Sequence, residues 1–348
     1  MKTLLKLLLK TQHQRNHFGL AKTEKGMTLV ELLVGAIMAF LIITPMLGFV
    51  VDMLNTDRRE QVKSNTEQDL QAAVDFIAQD LSQAIYIYDR AGITAINNTT
   101  NKLPAAGDAT KIPILVFWKR QQIKNTLPIN SAIEPKDCDK SANVNKCNDT
   151  YVLSLVAYYQ FKDNDTTWCQ PSGGTCPTRI ARYEIRDGVR NPYAVDPADS
   201  YYKSPGQIDK SKTRDAAFNP DFDFSKPTVN VTMGPNFPNP EVLVNYIDHS
   251  TANVPVPTGT QCQTLLGVTP PAAAPAFNPN DLLITDTSSP PTHSFYACVD
   301  TSKNLARVTI RGNSLRRLQA NNADFKTTSS AFFPTASVQV QGLGARGK

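Results

Sequence analysis

The hydrophobic pattern begins with one long apolar run near the N-terminus. From Leu32 to Val51 the chain has twenty consecutive residues without a charged side chain. A helix of that length spans about 30 Å, the hydrocarbon thickness of a bilayer. We therefore predict a transmembrane helix over residues 27–51, which on hydropathy alone is an ordinary single-pass anchor. Pro45 inside the run removes one helix hydrogen bond, which favours a kink or is simply a tolerated membrane proline.

The next segment, residues 52–90, has the spacing of an amphipathic helix. Its apolar residues fall mostly three or four positions apart, and the charged residues Glu60, Lys63, Glu67, Asp69 and Asp75 take other faces. The apolar stripe consists of Val62, Leu70, Val74, Ile77, Leu81, Ile85 and Tyr88. This pattern predicts one nearly continuous helix from about residue 28 to about residue 88, whose second half packs on a sheet.

Beyond Gly92 the pattern changes to short runs rich in Val, Ile, Tyr and Phe, several of them alternating in polarity. The predicted strands are Ile112–Trp118, Tyr151–Phe161, Arg179–Arg186, Glu241–Asp248, Ser294–Asp300 and Leu305–Arg311. A helix followed by successive strands predicts an α+β fold with an antiparallel sheet. Residues 91–340 would form a β-rich head, and residues 341–348 a flexible tail.

Two proline-rich stretches interrupt the strands. Residues 188–240 and 252–294 hold eight prolines each, sixteen of the 24 in the chain. Proline cannot donate to a strand ladder, so we predict loops or edge segments for both insertions.

The charge distribution predicts the membrane orientation. The formal net charge is +5, and residues 1–26 hold six Lys or Arg against Glu24 alone, which accounts for all of it. Asp52 and Asp57 follow the apolar run. The positive-inside rule then places the N-terminus in the cytoplasm and the head outside the inner membrane. Residues 27–348 are neutral overall, which argues against bulk nucleic-acid binding.

Six cysteines follow the apolar run, an even number in a predicted extracytoplasmic head. They are Cys138, Cys147, Cys169, Cys176, Cys262 and Cys298. This favours disulfides, and proximity in sequence favours pairing them in consecutive order. A zinc site is the weaker alternative, because the chain has no CxxC motif and only His249 and His293 outside the leader.

Glu31 is the one acid at the start of the apolar segment. A carboxylate within a membrane span is costly, and no Lys, Arg or His lies between residues 27 and 51. Its partner must therefore come from another chain or from a charge that is created later.

The junction Lys25-Gly26-Met27-Thr28-Leu29-Val30-Glu31 resembles the prepilin-type processing site of type IV pilins and type II secretion pseudopilins. A basic leader ends in glycine, the fifth residue beyond it is glutamate, and an apolar stretch follows. The resemblance implies that a prepilin peptidase removes residues 1–26 by cutting between Gly26 and Met27, and that the new amine is methylated. It assigns Glu31 and Thr28 to assembly, with Glu31 pairing with the N-terminus of a neighbouring subunit. Met27 stands where the family usually has Phe.

Within this superfamily, residues 64–89 look like the stalk of W-type minor pilins and J-type pseudopilins. Residues 26–61, with 64–89 and 307–317, are most similar to the C-type hormogonium polysaccharide secretion pseudopilins of filamentous cyanobacteria. The resemblance implies a pilin-like fold and a minor pseudopilin of a secretion machine for polysaccharide export and gliding motility. The implied partners are other pilins or pseudopilins, an inner-membrane assembly platform with its ATPase, and the secreted polysaccharide.

An alternative is a surface pilus component whose head binds polysaccharide or DNA. Trp168, Tyr201 and Tyr202 could stack on sugars or could simply pack in the head. We expect no enzymatic activity, cofactor or metal, since no GxSxG, HExxH or Walker A motif is present. The stretch from Asp163 to Asp165 could bind calcium in a loop, but its spacing favours a turn.

Overall fold

The computed structural model describes residues 28–97, 103–140, 143, 145–223, 232–270 and 277–343. The chain divides between Arg58 and Arg59 into two compact units. As the pattern predicts, it is an α+β protein with a long apolar N-terminal helix and antiparallel sheets.

Helix α1 runs from Leu29 to Ser82. It ends before residue 88, where the sequence analysis placed its end, because Ala84–Ile87 forms strand β1 instead. These residues pair with β2, with Ile87 opposite Phe117. Ile85, Tyr86 and Ile87 favour a pleated, half-buried surface, so tertiary pairing prevails over helix continuation here. A short helix α2, Arg90–Asn97, follows β1.

The first sheet contains five antiparallel strands in sequence order. After β1 they are β2 (Lys111–Pro128), β3 (Cys147–Phe161), β4 (Thr178–Arg186) and β5 (Glu241–Ile247). The β2–β3 hairpin is longer than the two predicted strands, because residues 119–128 and 147–150 continue the pairing.

The second sheet contains four antiparallel strands, also in sequence order. They are β6 (Leu283–Thr285), β7 (Phe295–Asp300), β8 (Leu305–Arg311) and β9 (Thr335–Gln341). Strands β7 and β8 were predicted from the sequence, whereas β6, which has three residues, and β9, whose alternating apolar residues are only half-buried, were not. Since Gln341 belongs to β9, the predicted tail does not begin there, and residues 344–348 lie outside the described part of the chain.

From Arg59 onward, α1 contributes to one hydrophobic core shared by both sheets. Leu70, Val74, Ile77 and Leu81 are at most 1% exposed. The predicted apolar stripe is therefore confirmed at these positions, whereas Val62 and Ile85 are only partly buried. Burying a Leu or Ile side chain stabilises a fold by about 1.5–3 kcal/mol. Burial of this stripe therefore contributes much of the free energy that holds residues 59–82 of α1, which we call the stalk half, on the head.

Side chains from the turn between β7 and β8 cap the outer edge of β1. The Ala84 carbonyl accepts from Asn304 Nδ2 at 2.9 Å, and the Ile87 carbonyl accepts from Thr301 Oγ1 at 3.0 Å. At the other end, Ile247 of β5 forms a bridge with Gly312, just after β8. These contacts leave neither sheet as an independent layer.

The proline-rich stretches are mainly loops, but the second contains helix α3, Gly259–Leu266, which the sequence analysis missed. Thr258 and Gln261 form a capping box at its start, and Gly267 ends it with φ +61°. These local caps stabilise a short helix whose flanking prolines predicted only loop. One further helical turn, α4, spans Leu315–Leu318.

Three disulfides join the cysteines in consecutive order, as proximity in sequence favours. The pairs are Cys138–Cys147, Cys169–Cys176 and Cys262–Cys298. The third links α3 to β7 across 36 residues, and it anchors the second proline-rich stretch to the sheet.

Candidate functional site

The first candidate site is the apolar part of α1. An 18-residue window in this helix has mean hydropathy 2.4, none of it buried within the protein, and the helix is long enough to span a membrane. Its large side chains are widely exposed, for example Leu29 at 84%, Phe40 at 70% and Phe49 at 71%. A contiguous apolar surface of this size requires lipid or other apolar helices as its environment.

Thr28 and Glu31 lie at the start of this helix. The Glu31 amide donates to the Thr28 carbonyl at 2.9 Å and to Thr28 Oγ1 at 3.3 Å. Thr28 therefore acts as an N-cap, a role that the sequence analysis did not give it. The Glu31 carboxylate is exposed in the first turn and has no ion pair or hydrogen bond among the described residues. It remains available for a partner from outside these residues.

The helix continues through Pro45. Proline has no N–H for the carbonyl of Leu41, one turn earlier. Next to it, Thr44 Oγ1 donates to the Phe40 carbonyl at 2.8 Å. The predicted processing residues, Gly26 and Met27, lie outside the described residues together with the leader.

The second candidate site is a buried ionic cluster that joins α1 to the first sheet. Asp80 on α1 accepts hydrogen bonds from Lys119 Nζ at 3.0 Å, Arg182 Nε at 2.7 Å and the Tyr158 hydroxyl at 2.8 Å. Glu184 accepts from Arg182 at 2.7 Å and lies 3.1 Å from Lys119 Nζ. We call these five residues the Asp80 cluster. Its two acids and two bases balance, so each buried charge has a counter-ion.

Interactions within the Asp80 cluster keep Glu184 ionised and Tyr158 protonated. Burial would raise the pKa of Glu184, but Arg182 and Lys119 outweigh this effect and lower the pKa to about 2. Burial raises the pKa of Tyr158 well above its usual value, so its hydroxyl stays protonated and can donate to Asp80. The cluster therefore holds the stalk half of α1 in one register on β2, β3 and β4.

The helical periodicity did not predict this cluster, because only the apolar members of the stripe indicated the buried face. Asp80 is 7% exposed and follows Ile77 by three positions, directly before Leu81. An acid at a stripe position, together with Lys119 and Arg182 next to apolar strand residues, was the pattern that could have revealed it.

The three aromatic residues proposed for sugar stacking lie in different environments. Tyr202 is 6% exposed and belongs to a small apolar cluster. The Tyr201 ring lies 4.3 Å from the Arg214 guanidinium and 5.4 Å from that of Arg190. Trp168 lines one open groove, whereas Tyr201 and Tyr202 line a different one of about 690 Å³, so the structure does not bring the three together.

The groove at Trp168 has a volume of about 660 Å³ and lies between the stalk half of α1, the Trp168 loop and β5. Phe76 on its helix side is 41% exposed. The carbonyl of Trp168 accepts from Asn245 Nδ2 at 2.9 Å, which ties the loop to β5. Arg317 lies 4.5 Å from the Tyr246 ring and forms an ion pair with Asp69. Aromatic and polar side chains therefore both line this groove.

The remaining candidate residues have structural contacts. Asp163 pairs with Arg179 through two contacts of 2.5 and 2.9 Å, and Asp165 Oδ1 accepts from the Thr167 amide at 2.8 Å. The turn begins at Asp165, whose carbonyl accepts from the Trp168 amide at 3.1 Å, so it follows the stretch 163–165 rather than lying within it. Within the described ranges, no group of three or more His, Cys, Asp or Glu residues could hold a metal ion.

The two histidines of the head lie at separate places. His249 Nε2 is 3.4 Å from Asp324, and burial lowers the pKa of His249 despite that neighbour. His293 Nδ1 is 3.1 Å from Thr285 Oγ1, and burial lowers its pKa as well.

Comparisons with known proteins return no family model, curated protein or solved structure that matches this chain.

Proposed function

We propose that the chain is a minor pseudopilin, a structural subunit of a type IV pilus-like or type II secretion-like machine in the inner membrane. The observation that carries this proposal is the exposed apolar segment of α1, residues 29–51, whose single acid, Glu31, has no partner among the described residues. In the sequence, Glu31 is the fifth residue after Gly26.

The proposed assembly follows from the chemistry of that terminus. A peptidase cuts after Gly26 and creates an amine at Met27, and this amine is the missing positive charge near Glu31. The amine of one subunit then pairs with Glu31 of its neighbour while the apolar helices pack together. A buried ion pair is costly unless its geometry is good, so the pairing selects one axial register.

The head supports a minor rather than a major subunit. Two proline-rich insertions and two sheets make it bulky, and such a head would crowd the surface of a regular fibre. We place it at the tip or in an initiating complex. The roles in polysaccharide secretion and gliding motility rest on the resemblance of residues 26–61, 64–89 and 307–317 alone.

The test is the intact mass of the protein recovered from membranes. We expect loss of 26 residues and gain of a methyl group. Gly26→Glu should leave a membrane-inserted precursor, whereas Gly19→Glu, which adds the same charge inside the leader, should be processed normally. A protein that still begins at Met1 in cells that assemble the machine would contradict the proposal.

A second candidate function is polysaccharide binding by the head, favoured by the groove at Trp168. The half-buried Trp168 and the exposed Phe76 line this groove together with Asn245 and Arg317, which offers both stacking and hydrogen bonding to a sugar. Trp168→Ala should reduce retention of secreted polysaccharide by the full chain in detergent. Tyr151→Ala removes an exposed ring far along β3 and serves as the control. Equal retention by both variants would remove this candidate.

A further inference from the structure

Strand β9 is the free edge of the second sheet. It pairs with β8 in an unbroken register from Leu305 opposite Gln341 to Arg311 opposite Thr335. No other strand pairs with it among the described residues.

The register determines which main-chain groups point outward. Gly342 N donates to the Asn304 carbonyl and Gly312 N donates to the Pro334 carbonyl, each at 2.8 Å. Hydrogen-bonded pairs alternate along an antiparallel ladder, so the even-numbered residues of β9 bond to β8. The N–H and C=O groups of the odd-numbered residues point away from β8, and no hydrogen bond to them is found in the described part of the chain. These residues are Thr335, Ser337, Gln339 and Gln341.

This edge lacks the usual protection against strand addition. The outer edge of β1 is capped by side chains, the end of β5 is bridged to Gly312, and β6 has three residues. In contrast, β9 has seven residues and contains no charge, no proline and no bulge. Natural edge strands usually carry at least one of these devices, because a bare edge is a template for another strand.

We propose that β9 pairs antiparallel with β9 of a second copy of this chain, about a two-fold axis through Val338. In this register Ser337 lies opposite Gln339 of the other copy, and Thr335 lies opposite its Gln341. The four outward N–H and four outward C=O groups of each strand are then all used, which gives eight hydrogen bonds.

The side chains support a second copy as the occupant. The pairs facing solvent are Ser with Gln and Thr with Gln, so no like charges meet across the axis. On the core side, Ala336, Val338 and Val340 pack against the hydrophobic core and would meet the same three residues of the other copy. The interface is thus self-complementary, as a two-fold contact requires.

This contact is separate from the bundle in the proposed function. Near the start of β9, Gly312 approaches Thr66 so closely that a Cβ would lie 2.8 Å from Thr66 Cγ2, and near its end Leu343 N donates to the Ser82 carbonyl. The strand therefore runs in the same direction as the stalk half of α1. Two-fold pairing makes the two stalk halves antiparallel, so the contact joins heads of oppositely oriented copies rather than neighbours in one bundle.

Cysteine cross-linking of the full chain in detergent tests the register. The central Val338 pair is not hydrogen-bonded across the new interface, so its Cα atoms would lie about 4.5 Å apart, within disulfide range. We expect Val338→Cys to form a covalent dimer under mild oxidation. Ala336→Cys alone should not, whereas Ala336→Cys combined with Val340→Cys should, because these two residues face each other.

Charge at the edge provides the second test. Gln339→Lys places two lysines beside the axis and should weaken dimerisation at least tenfold, measured by sedimentation. Gln339→Pro removes only an outward N–H and should have the same effect with β8 still paired. Gln68→Lys, on an exposed face of α1, is the matched control and should change nothing.

A monomeric wild-type chain would overturn the proposal, as would equal cross-linking at residues 336 and 338 or a cross-link only to a different protein. Equal cross-linking at both positions would mean that the apolar helices alone hold the copies together. Processing at Gly26 should be the same in all these variants, which separates this test from the test of the proposed function.

Discussion

At the scale of single residues, Asp80 is the side chain on which the seating of α1 depends most. It accepts three hydrogen bonds from three strands, and its two cationic partners are both less than 10% exposed. Removing one partner of a buried ion pair leaves an uncompensated charge, which costs far more than the pair contributes net. Hydrophobic packing sets the affinity of α1 for the sheets, whereas Asp80 sets its register.

We expect Asp80→Asn to destabilise the head by about 3 kcal/mol, because Lys119 and Arg182 would then share Glu184 alone. Asp75→Asn is the matched control. Asp75 lies on the exposed face of the same helix, where it accepts from Gln71. Chemical denaturation of both variants measures the difference, and a loss that is equal in the two would contradict the role given to Asp80.

Glu184 predicts an acid-sensitive stability. Its pKa is lowered from 4.5 to about 2 in the folded protein, so the unfolded chain takes up its proton first as the pH falls. Stability from this group is complete above pH 4.5 and is lost as the pH falls from there towards 2, by up to about 1.4 kcal/mol per pH unit. Glu184→Gln should flatten this part of the stability profile, and an unchanged slope would show that other carboxylates govern it.

At the scale of elements, the sequence predicted the helices and strands whose apolar residues recur at regular spacing. It did not predict most of those whose conformation depends on pairing or packing with residues distant in the sequence. The spacing of Leu70, Val74, Ile77 and Leu81 located the buried face of α1, since helical periodicity is a local property. Residues 84–87 continue that spacing, yet they form β1 because β2 offers a partner strand. Strand β9 is an exception, since Thr335–Gln341 alternates regularly between polar and apolar residues, as a strand with one solvent face does, and was nevertheless missed.

The candidate sites were likewise predicted only in part from the sequence. Glu31 was recognisable because a lone acid stands out in an apolar run. The Asp80 cluster was not, because its four charged residues come from positions 80, 119, 182 and 184 and meet only in the folded head. The groove at Trp168 was missed for the same reason.

The disulfides should differ in what they contribute. In the loop-entropy model, closing the loop between Cys262 and Cys298, at a sequence separation of 36, stabilises by about 4 kcal/mol. Closing the loop between Cys138 and Cys147, at a separation of 9, stabilises by about 3 kcal/mol. Replacing both cysteines of a pair by alanine should therefore lower the denaturation midpoint more for Cys262–Cys298 than for Cys138–Cys147. The reverse order would indicate that native packing, rather than loop closure, governs the effect.

At the scale of the whole molecule, the two ends of α1 have different tasks. The apolar segment up to Val51 exposes apolar surface and one acid, whereas the C-terminal half is built into the core of the head. The proposed function needs both halves, since a subunit must join a bundle and also carry its head there.

Glu31→Ala should separate insertion from assembly. We expect the variant to enter the membrane and to be processed, since the apolar run is intact, but to be incorporated poorly into the assembled machine. Glu67→Ala removes an exposed acid from the same helix and should be incorporated normally. Co-purification with partner subunits measures incorporation, and wild-type levels for Glu31→Ala would remove the role proposed for this residue.

The Asp80 cluster also has a mechanical consequence. A pulling force applied at the Arg59 end of α1 acts along the helix axis, whereas the hydrogen bonds from Lys119, Arg182 and Tyr158 reach Asp80 from three strands at its side. The same pull loads the bond between Leu343 and Ser82, at the end of a strand that runs with the helix. These contacts are therefore loaded in shear and at the same time. To separate the head from its stalk, the force must break them together rather than one after another.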